Sequence, residues 1–580
     1  MTLDGLTLHL IVEELKEPVI GCKVDRVHQP QPDTVVLTLR APGKNPRLLI
    51  SAGASDSRLH LTQQKYANPI SPPMFCMFLR KHVIGAKITD VQQTGLERIV
   101  RISLEAKDEL GLPRTLTLVA ELMGKYSNVI LLNEQGVIMD SLRHVSSAQS
   151  RVRSVFPGLN YEEPPSSKLN PLTISRATLA EMLGKRGKTK MKSYLSQFLQ
   201  GISSQTADEL LWRYMPEGYE EHPREAERLA DVILGFFKEL ASPRPTMYFR
   251  DGVPFFFAPL HYRSVAAQSV QSFDTANAMV DAYYHRLREV EAFTRKRDNL
   301  IKLTQKHMDR LGQTLQKQLE SLEQSKKAER HKMLGDIITA NIYRISRGQR
   351  SLVAQDYETG EEVSIELDPR LSPAANAQQH YKRYNKLKAS LDITISRMAE
   401  TKKELAFLDS VLVSLDACET LNELAEVEYE LARAGYAPQA KTVPQKSAQA
   451  PSQPHRFISS DGYVILAGKN NRQNDLLTMR TAEPDDIWLH TKDIPGAHVL
   501  ITGAKGNAPE TTLLEAASIA AYLSKAKNSG KVAVDYALRK NVRKPSGARP
   551  GMVIYDNYQT ILVSPSREIF ERLAAPTGNP

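Results

Sequence analysis

Two long stretches almost free of Gly and Pro, each with apolar residues recurring at seven residues or multiples of seven, constrain this chain more than any other feature. Between about Thr275 and Arg330, Leu287, Ile301, Met308, Leu315 and Leu322 are spaced by seven or fourteen residues, and Val290 and Leu311 occupy the complementary positions. The pattern returns with Tyr384, Leu391, Met398, Leu405 and Leu412, joined by Leu387, Leu408 and Leu415. A seven-residue apolar repeat on an α-helix draws a stripe that has to be buried against another helix. The two arms are of similar length and flank a block containing IYRISRGQRSLVAQDYETGEEVSIELDP. The economical arrangement is one antiparallel coiled coil with a small β-containing domain at its tip. Roughly fifty residues of helix reach about 80 Å, a length suited to spanning distant sites on a large partner. A dimerisation coil would bury the same seam between two copies; the matched arms favour pairing within one chain.

The rest of the chain is organised around these arms as a multidomain α+β protein. LTLHLIVEEL reads as a helix start, and VVLTLRA, LLISA, IVRISLEA, TLTLVAEL and NVILLN read as strands, which makes residues 1–172 an α+β domain. Over 173–272 the pattern turns helical: Gly201 interrupts two helices in YLSQFLQGISSQTADELLWRY, and Lys185, Arg186, Lys188, Lys190 and Lys192 crowd their approach. Two helices joined by a tight Gly turn can present backbone N–H groups to a phosphate, although packing alone also explains such a motif. TMYFRDGVPFFFAPL then returns as a β-hairpin around Asp251 and Gly252. The arms occupy 273–330 and 376–436, with the middle domain at 331–375. Residues 437–456 are rich in Pro, Ala, Gln and Ser and read as a flexible linker, 457–573 as an α+β C-terminal domain, and 574–580 as a disordered tail.

With 580 residues the chain holds several cores. Its 76 Lys and Arg against 66 Asp and Glu, a net charge of +10, favour a polyanionic partner. There is no run of eighteen apolar residues, and Asp4, Glu13 and Glu14 stand where a signal peptide would be basic and then apolar; the reading is cytoplasmic, without a membrane. Cys22, Cys76 and Cys418 are too few and too scattered for a disulfide framework or a zinc site. The phosphate-loop, dinucleotide, zinc-protease and serine-hydrolase motifs are all missing. No catalytic residue, metal or cofactor is expected, and the chain reads as a non-enzyme.

Four polar clusters beside strands remain. In GLERIVRI, the Glu97 carboxylate can accept from base amino groups and the Arg98 guanidinium can stack on or hydrogen-bond to unpaired bases. For the dipeptide by itself, solvated surface charge is the better reading. In ELMGKYSNVIL, Gly124 permits close approach of a partner's backbone at a turn carrying Lys125, Tyr126, Ser127 and Asn128, and an ordinary hairpin turn explains it almost as well. ALRKNVRKPSGARPG brings Arg539, Lys540, Arg543, Lys544 and Arg549 into eleven residues, answered nearby only by Asp535, which suits phosphate contacts. From Phe457 to Thr502, the runs YVILAG and HVLIT alternate with the turn-forming clusters SSDG, KNNRQND and EPDD, a polar surface carried on strands.

Together these segments resemble the NFACT family. GLERIV and ELMGKYSN are similar to its N-domain motifs, FLQGIS and TADEL to its helix-hairpin-helix segment, and GDIITANIY and NAQQHYKRYNKLK to the edges of its middle region. SSDGYVILAGKNNRQND, DIWLHTKDIPGAHV, SKAKNSGKVAVDY and KPSGARPGMV are similar to its C-terminal RNA-binding domain. The resemblance implies ribosome quality control: binding of the large ribosomal subunit, through rRNA and the stalk base, when peptidyl-tRNA obstructs it. It implies recruitment of alanyl-tRNA, so that an alanine tail marks the stalled chain for degradation. The tRNA-facing residues it implies are Glu97, Arg98, Glu121, Leu122, Met123, Lys125 and Asn128; Glu97 stands where the family usually carries Asp. RNA or ribosome contacts are implied at Asn470, Asn471, Asp475, Trp488, His490 and Lys492, although Trp488 suits a core position better than a base-stacking platform, and the basic run supplies Arg539, Lys540, Arg543 and Lys544. The N-domain also resembles formamidopyrimidine-DNA glycosylases, but Thr2 and Leu3 stand where those enzymes expose their nucleophilic Pro, so the shape implies RNA binding without glycosylase chemistry. The competing readings are a fibronectin-binding surface adhesin and a general RNA-binding protein.

Overall fold

A computed structural model of the protein describes residues 3–108, 110–148, 150, 152–187, 189–215, 225–438 and 452–574. Lys188, positions 439–451 of the linker stretch and positions 575–580 of the tail lie outside the described residues. The chain divides into two compact units, Met1–Glu291 and Ala292–Pro580.

The first unit is built on a nine-stranded antiparallel sheet. In spatial order its strands are Arg58–Leu61, Arg47–Ser51, Thr34–Arg40, Lys23–Gln31, Lys87–Gln93, Ile99–Lys107, Pro113–Glu121, Asn128–Leu132 and Ile138–Ser141. The helix Gly5–Val19 starts where the Asp4 carboxylate accepts from the Thr7 N–H at 2.8 Å, and buries Leu6, Ile11, Leu15 and Val19 in the main core. A second apolar layer covers the last strands, with Ile99, Val119, Ile130 and Val155 buried and Tyr161 packed against them. The strand Pro113–Glu121 is therefore buried at four successive positions from Leu118 to Glu121, against the alternation expected of a sheet with one wet face.

Helices Met191–Phe198 and Ser204–Tyr214 meet at Gly201, whose φ of +76° is the left-handed conformation that glycine tolerates. A Cβ on Gly5 would lie 2.1 Å from the Leu96 carbonyl oxygen and 2.8 Å from the Gly201 Cα, so the two glycines let the first helix, the helix pair and the turn before Glu97 interlock. Thr246–Arg250 and Val253–Ala258 form an antiparallel hairpin whose turn residues, Asp251 and Gly252, both have positive φ. Glu14 accepts the backbone N–H groups of Ala276 at 2.7 Å and Asn277 at 2.9 Å, capping the helix Ala276–Ser325 with a negative charge.

In the second unit the continuation of this 50-residue helix packs against the 45-residue helix Pro373–Ala417. Leu300 meets Phe407, Leu408, Val411 and Leu415, with Ile301, Met308, Leu311 and Leu412 partly buried beside them. Polar residues join the seam: Gln318 donates to the Thr401 hydroxyl at 3.2 Å, and Thr304 and Thr394 are buried. Between the helices, the hairpin Ser351–Gln355 and Glu362–Glu366 packs Leu352, Ala354 and Ile365 on Ile337 and Ile338 of the helix Ala328–Ala340.

The last 120 described residues form a six-stranded antiparallel sheet in the order His455–Ile458, Val464–Ala467, Val499–Thr502, Ile487–Thr491, Val532–Leu538, Gln559–Val563. The first strand opens inside the stretch read as linker, and Ala574, read as tail, bridges back to Phe457. Helix Glu510–Tyr522 covers one face through Ala516, Ala517, Ile519 and Ala520, against Ile487 and Leu489. Strand alternation sends Trp488 to the opposite face, where it packs with Leu500 and Val542.

Candidate nucleic-acid interface

In the first unit the Glu97–Arg98 turn leads into the strand Ile99–Lys107, and strand pairing brings it beside Leu122, whose N–H donates to the Arg98 carbonyl at 2.8 Å. Sequence positions more than twenty apart thus share one edge. Arg98 lines an open cavity of about 370 Å³ with Asp4, Glu97, Lys168, Ser203 and Gln205. Among the described residues its guanidinium makes no ion pair within 4 Å, whereas Arg101 pairs with Glu163 and Arg153 with Glu121. Burial pulls its pKa below the ordinary value, against the Asp4 and Glu97 carboxylates, which raise it. Burial likewise pushes the Asp4 carboxyl up, against hydrogen bonds from Thr7 and Thr206 and the charge of Arg98. Glu97 accepts from the Ser166 hydroxyl at 2.6 Å and remains partly exposed, and Lys168 donates to the Ser196 carbonyl at 2.9 Å. A half-buried cation without a partner, flanked by carboxylates at a cavity rim, can take up a phosphate or the edge of a base.

The neighbouring residues separate into exposed and buried groups. Lys125 and Tyr126 are exposed, with the ammonium 4.9 Å from the ring centroid, and Met123 is half-buried. Glu121, read above as tRNA-facing, is fully buried: Arg153 pairs with one carboxylate oxygen and the Tyr161 hydroxyl donates to the other at 2.8 Å. Leu122 belongs to the core. Asn128 is 3% exposed and spent on backbone, donating to the Arg143 carbonyl at 2.7 Å while accepting from the Val129 and Arg143 N–H groups. These three side chains shape the edge from beneath; a strand end covered on both faces leaves them no route to a partner. Asp4 and Lys168 complete the cavity, and neither was singled out from the sequence as a site residue.

In the second unit the C-terminal candidates are also redistributed. Asn470 caps the short helix Asn471–Leu476, accepting from the Gln473 N–H at 2.9 Å, and its amide donates to Glu426 at 2.8 Å. Asn471 donates to the Ser410 hydroxyl at 2.8 Å and to Glu430 at 2.9 Å, and Lys469 pairs with Glu423 at 2.6 Å. Glu423, Glu426 and Glu430 lie on one face of the helix Leu421–Arg433, so Lys469, Asn470 and Asn471 dock the C-terminal sheet domain onto that helix instead of facing RNA. Glu430 is 7% exposed; burial pushes its carboxyl up to about 7, helped by the charge of Asp475 and opposed by Asn471 and Arg549.

Trp488 is fully buried, with its indole N–H unpartnered, and is closed off as a stacking platform. The His490 ring stacks 5.8 Å from Trp488, and burial pushes its pKa down to about 4, which leaves it neutral at pH 7. Lys492 sits 5.4 Å from the Tyr558 ring and keeps its charge partly exposed.

The basic run is far from unanswered. Lys540 pairs with Asp485 at 2.9 Å, Arg543 with Asp556, Lys544 with Asp475, and Arg549 with Glu404 at 3.1 Å, while Arg539 donates to the Thr478 carbonyl at 2.7 Å. Asp535, the acid expected to answer it, is buried and accepts from the Tyr555 and Thr560 hydroxyls. Exposed pairs such as Lys540–Asp485 are weak enough to exchange for phosphate, whereas Lys544 and Arg539 hold the loop in place. Among the described residues no helix is long and apolar enough to cross a membrane.

The architecture is that of a multidomain protein of mixed helix and strand: a sheet domain in the first unit, and a long helical pair and a second sheet domain in the second. Residues 4–450 match the NFACT N-terminal and middle domains and residues 453–557 match the NFACT protein RNA binding domain: the chain belongs to the NFACT family. It is 33% identical over 581 residues to the Rqc2 homolog RqcH of Bacillus subtilis (strain 168), covering 99% of this chain and 100% of that one. It is 33% identical to the Rqc2 homolog RqcH of Streptococcus suis (strain 05ZYH33), covering 98% and 99%. Among solved structures, the N-terminal part of the fibronectin/fibrinogen-binding protein from Streptococcus suis is 30% identical over 49% of this chain and 99% of that one, with a TM-score of 0.42.

Proposed function

We propose that the protein acts in ribosome quality control, binding a large ribosomal subunit obstructed by peptidyl-tRNA and recruiting alanyl-tRNA so that an alanine tail is added to the stalled chain. Support for the role comes from identity of 33% to RqcH proteins along nearly the whole chain. The observation that carries the tRNA step is the unpaired, half-buried Arg98 guanidinium beside Glu97 at an open cavity rim. Arg98 and Glu97 would contact unpaired tRNA bases, with Met123 and Lys125 alongside, while Glu121, Leu122 and Asn128 fix the edge that presents them. Glu97 reaches one methylene further than Asp, and its bond to Ser166 holds that longer carboxylate at the rim. The long helical pair would act as a lever toward the stalk base, as an antiparallel coiled coil, and the N-terminal sheet would lend its glycosylase-like shape to RNA binding. Peptide-bond formation belongs to the ribosome; the chain contributes by positioning an aminoacyl-tRNA. Co-sedimentation with large subunits and tRNA from stalled lysates tests this directly: Arg98→Ala is expected to lose the tRNA and keep the subunit. Simultaneous loss of both would contradict separate sites, and recovery of the protein from the cell surface bound to fibronectin would favour the adhesin.

A further inference from the structure

The second unit holds a pocket of about 530 Å³ that the tRNA-recruiting edge does not use. One side comes from the helices Pro373–Ala417 and Leu421–Arg433, and the other from the C-terminal domain through Arg472 and the loop Lys544–Pro550, so the pocket exists only while the domain is docked. Its base is apolar, with Phe407, Ala434 and Pro550. Two features of the lining lack a partner that a ligand could supply. The Tyr429 ring is 54% exposed. Arg433 and Arg472 are exposed and make no ion pair among the described residues; Arg472 lies 6.0 Å from the Tyr429 centroid. Glu430 stands behind this lining: it is 7% exposed, one carboxylate oxygen accepts from Asn471, and the other is enclosed by protein.

Each feature narrows the chemistry. Two unpaired guanidiniums ask for an anion, and an exposed aromatic ring beside one of them asks for a flat π-surface. An inorganic phosphate would leave the ring unmatched, and an apolar peptide would leave both arginines unmatched. We propose that this pocket holds one nucleotide, with its base against Tyr429 and its phosphate on Arg433 and Arg472. The cations already committed, Lys544 to Asp475 and Arg549 to Glu404, set the walls without binding the phosphate. The nucleotide comes either from a single-stranded RNA or from the free pool; the RNA source rests on the function proposed above.

The test uses the full chain and two probes: a fluorescently labelled single-stranded RNA octamer, and GMP or AMP as competitors. Stacking on an aromatic ring contributes enough that Tyr429→Leu is expected to weaken binding roughly tenfold. Arg433→Ala combined with Arg472→Ala is expected to reduce the salt slope of octamer binding by one to two units. Competition by free GMP or AMP at micromolar concentration identifies the free nucleotide as the source, and octamer binding without such competition identifies RNA; either supports the pocket. Unchanged affinity for both probes in both variants, with thermal melts matching the parent, overturns it. Large-subunit co-sedimentation is read in parallel. If the parent protein binds the octamer through Tyr429 but never sediments with subunits, the proposed function fails and the pocket stands.

Discussion

Replacing Glu121 by Ala separates a structural role from an RNA-facing one. The carboxylate is fully buried, paired with an Arg153 side chain that is 13% exposed, and accepts from Tyr161 at 2.8 Å. Breaking one partner of a buried pair costs about 3–5 kcal/mol, because the remaining charge stays desolvated. Arg153 keeps a second hydrogen bond, 2.8 Å to the Glu162 carbonyl, and some contact with water, which places the expected loss near the low end, about 3 kcal/mol. A multidomain chain has no single unfolding free energy, so the suitable assay is native-state hydrogen exchange at the amides of Ile99–Lys107 and Pro113–Glu121. Protection there is expected to fall by a factor of roughly 100 if those amides exchange by opening of this sheet region. Glu121→Gln, which keeps an acceptor for one partner, is expected to lose less. If Glu121→Ala exchanges like the parent yet no longer recruits tRNA, the carboxylate faces RNA and the reasoning is refuted.

Three further outcomes follow from the same geometry. Arg98→Ala removes no ion pair, so stability should change by no more than about 0.5 kcal/mol while the tRNA that co-purifies drops at least tenfold, read by melting and by RNA quantification. Glu423→Ala removes both the capping box and the buried Lys469 pair, and exchange in the helices Leu421–Arg433 and Asn471–Leu476 should accelerate by a factor of 100 or more. The same helix also carries two pH responses of opposite sign. Burial raises Glu430 to about 7, so its native form binds more protons than the unfolded one and stability falls as pH rises from the ordinary carboxylate range to about 7. For Glu423 burial pushes upward too, but Lys469 and the Glu419 and Thr420 N–H groups outweigh it and lower the pKa, so its contribution is present above the ordinary carboxylate pKa and is lost on acidification. Glu430→Gln should abolish the first response and leave the second, as followed by exchange in Leu421–Arg433 between pH 4 and 8 (about four units).

How much of this was legible in the sequence depended on whether the partners lay nearby in the chain. Apolar positions such as Ile301, Met308, Leu408 and Leu415 announce the helical seam by spacing alone. Thr304, Gln318 and Thr401 share that seam without an apolar signal. The strands around Glu97 and Glu121 were readable, and their pairing brings Arg98 beside Leu122 as the motifs imply. The fate of Glu121 was not readable, because its partners Arg153 and Tyr161 belong to a covering layer with little regular structure. Asn470 and Asn471 look like surface amides until the stripe of glutamates forty-odd positions upstream comes into contact with them. The basic run looked free for the same reason: its acids, Asp485, Asp475, Asp556 and Glu404, stand 13 to 145 positions away.

The measurement closest to the central claim is sequencing of the RNA that co-purifies with the full-length protein and with its Arg98→Ala variant. The account predicts large-subunit RNA with one dominant tRNA species for the parent, and large-subunit RNA stripped of that tRNA for the variant. RNA of no preferred class in the parent, or a tRNA fraction unchanged by Arg98→Ala, would contradict it.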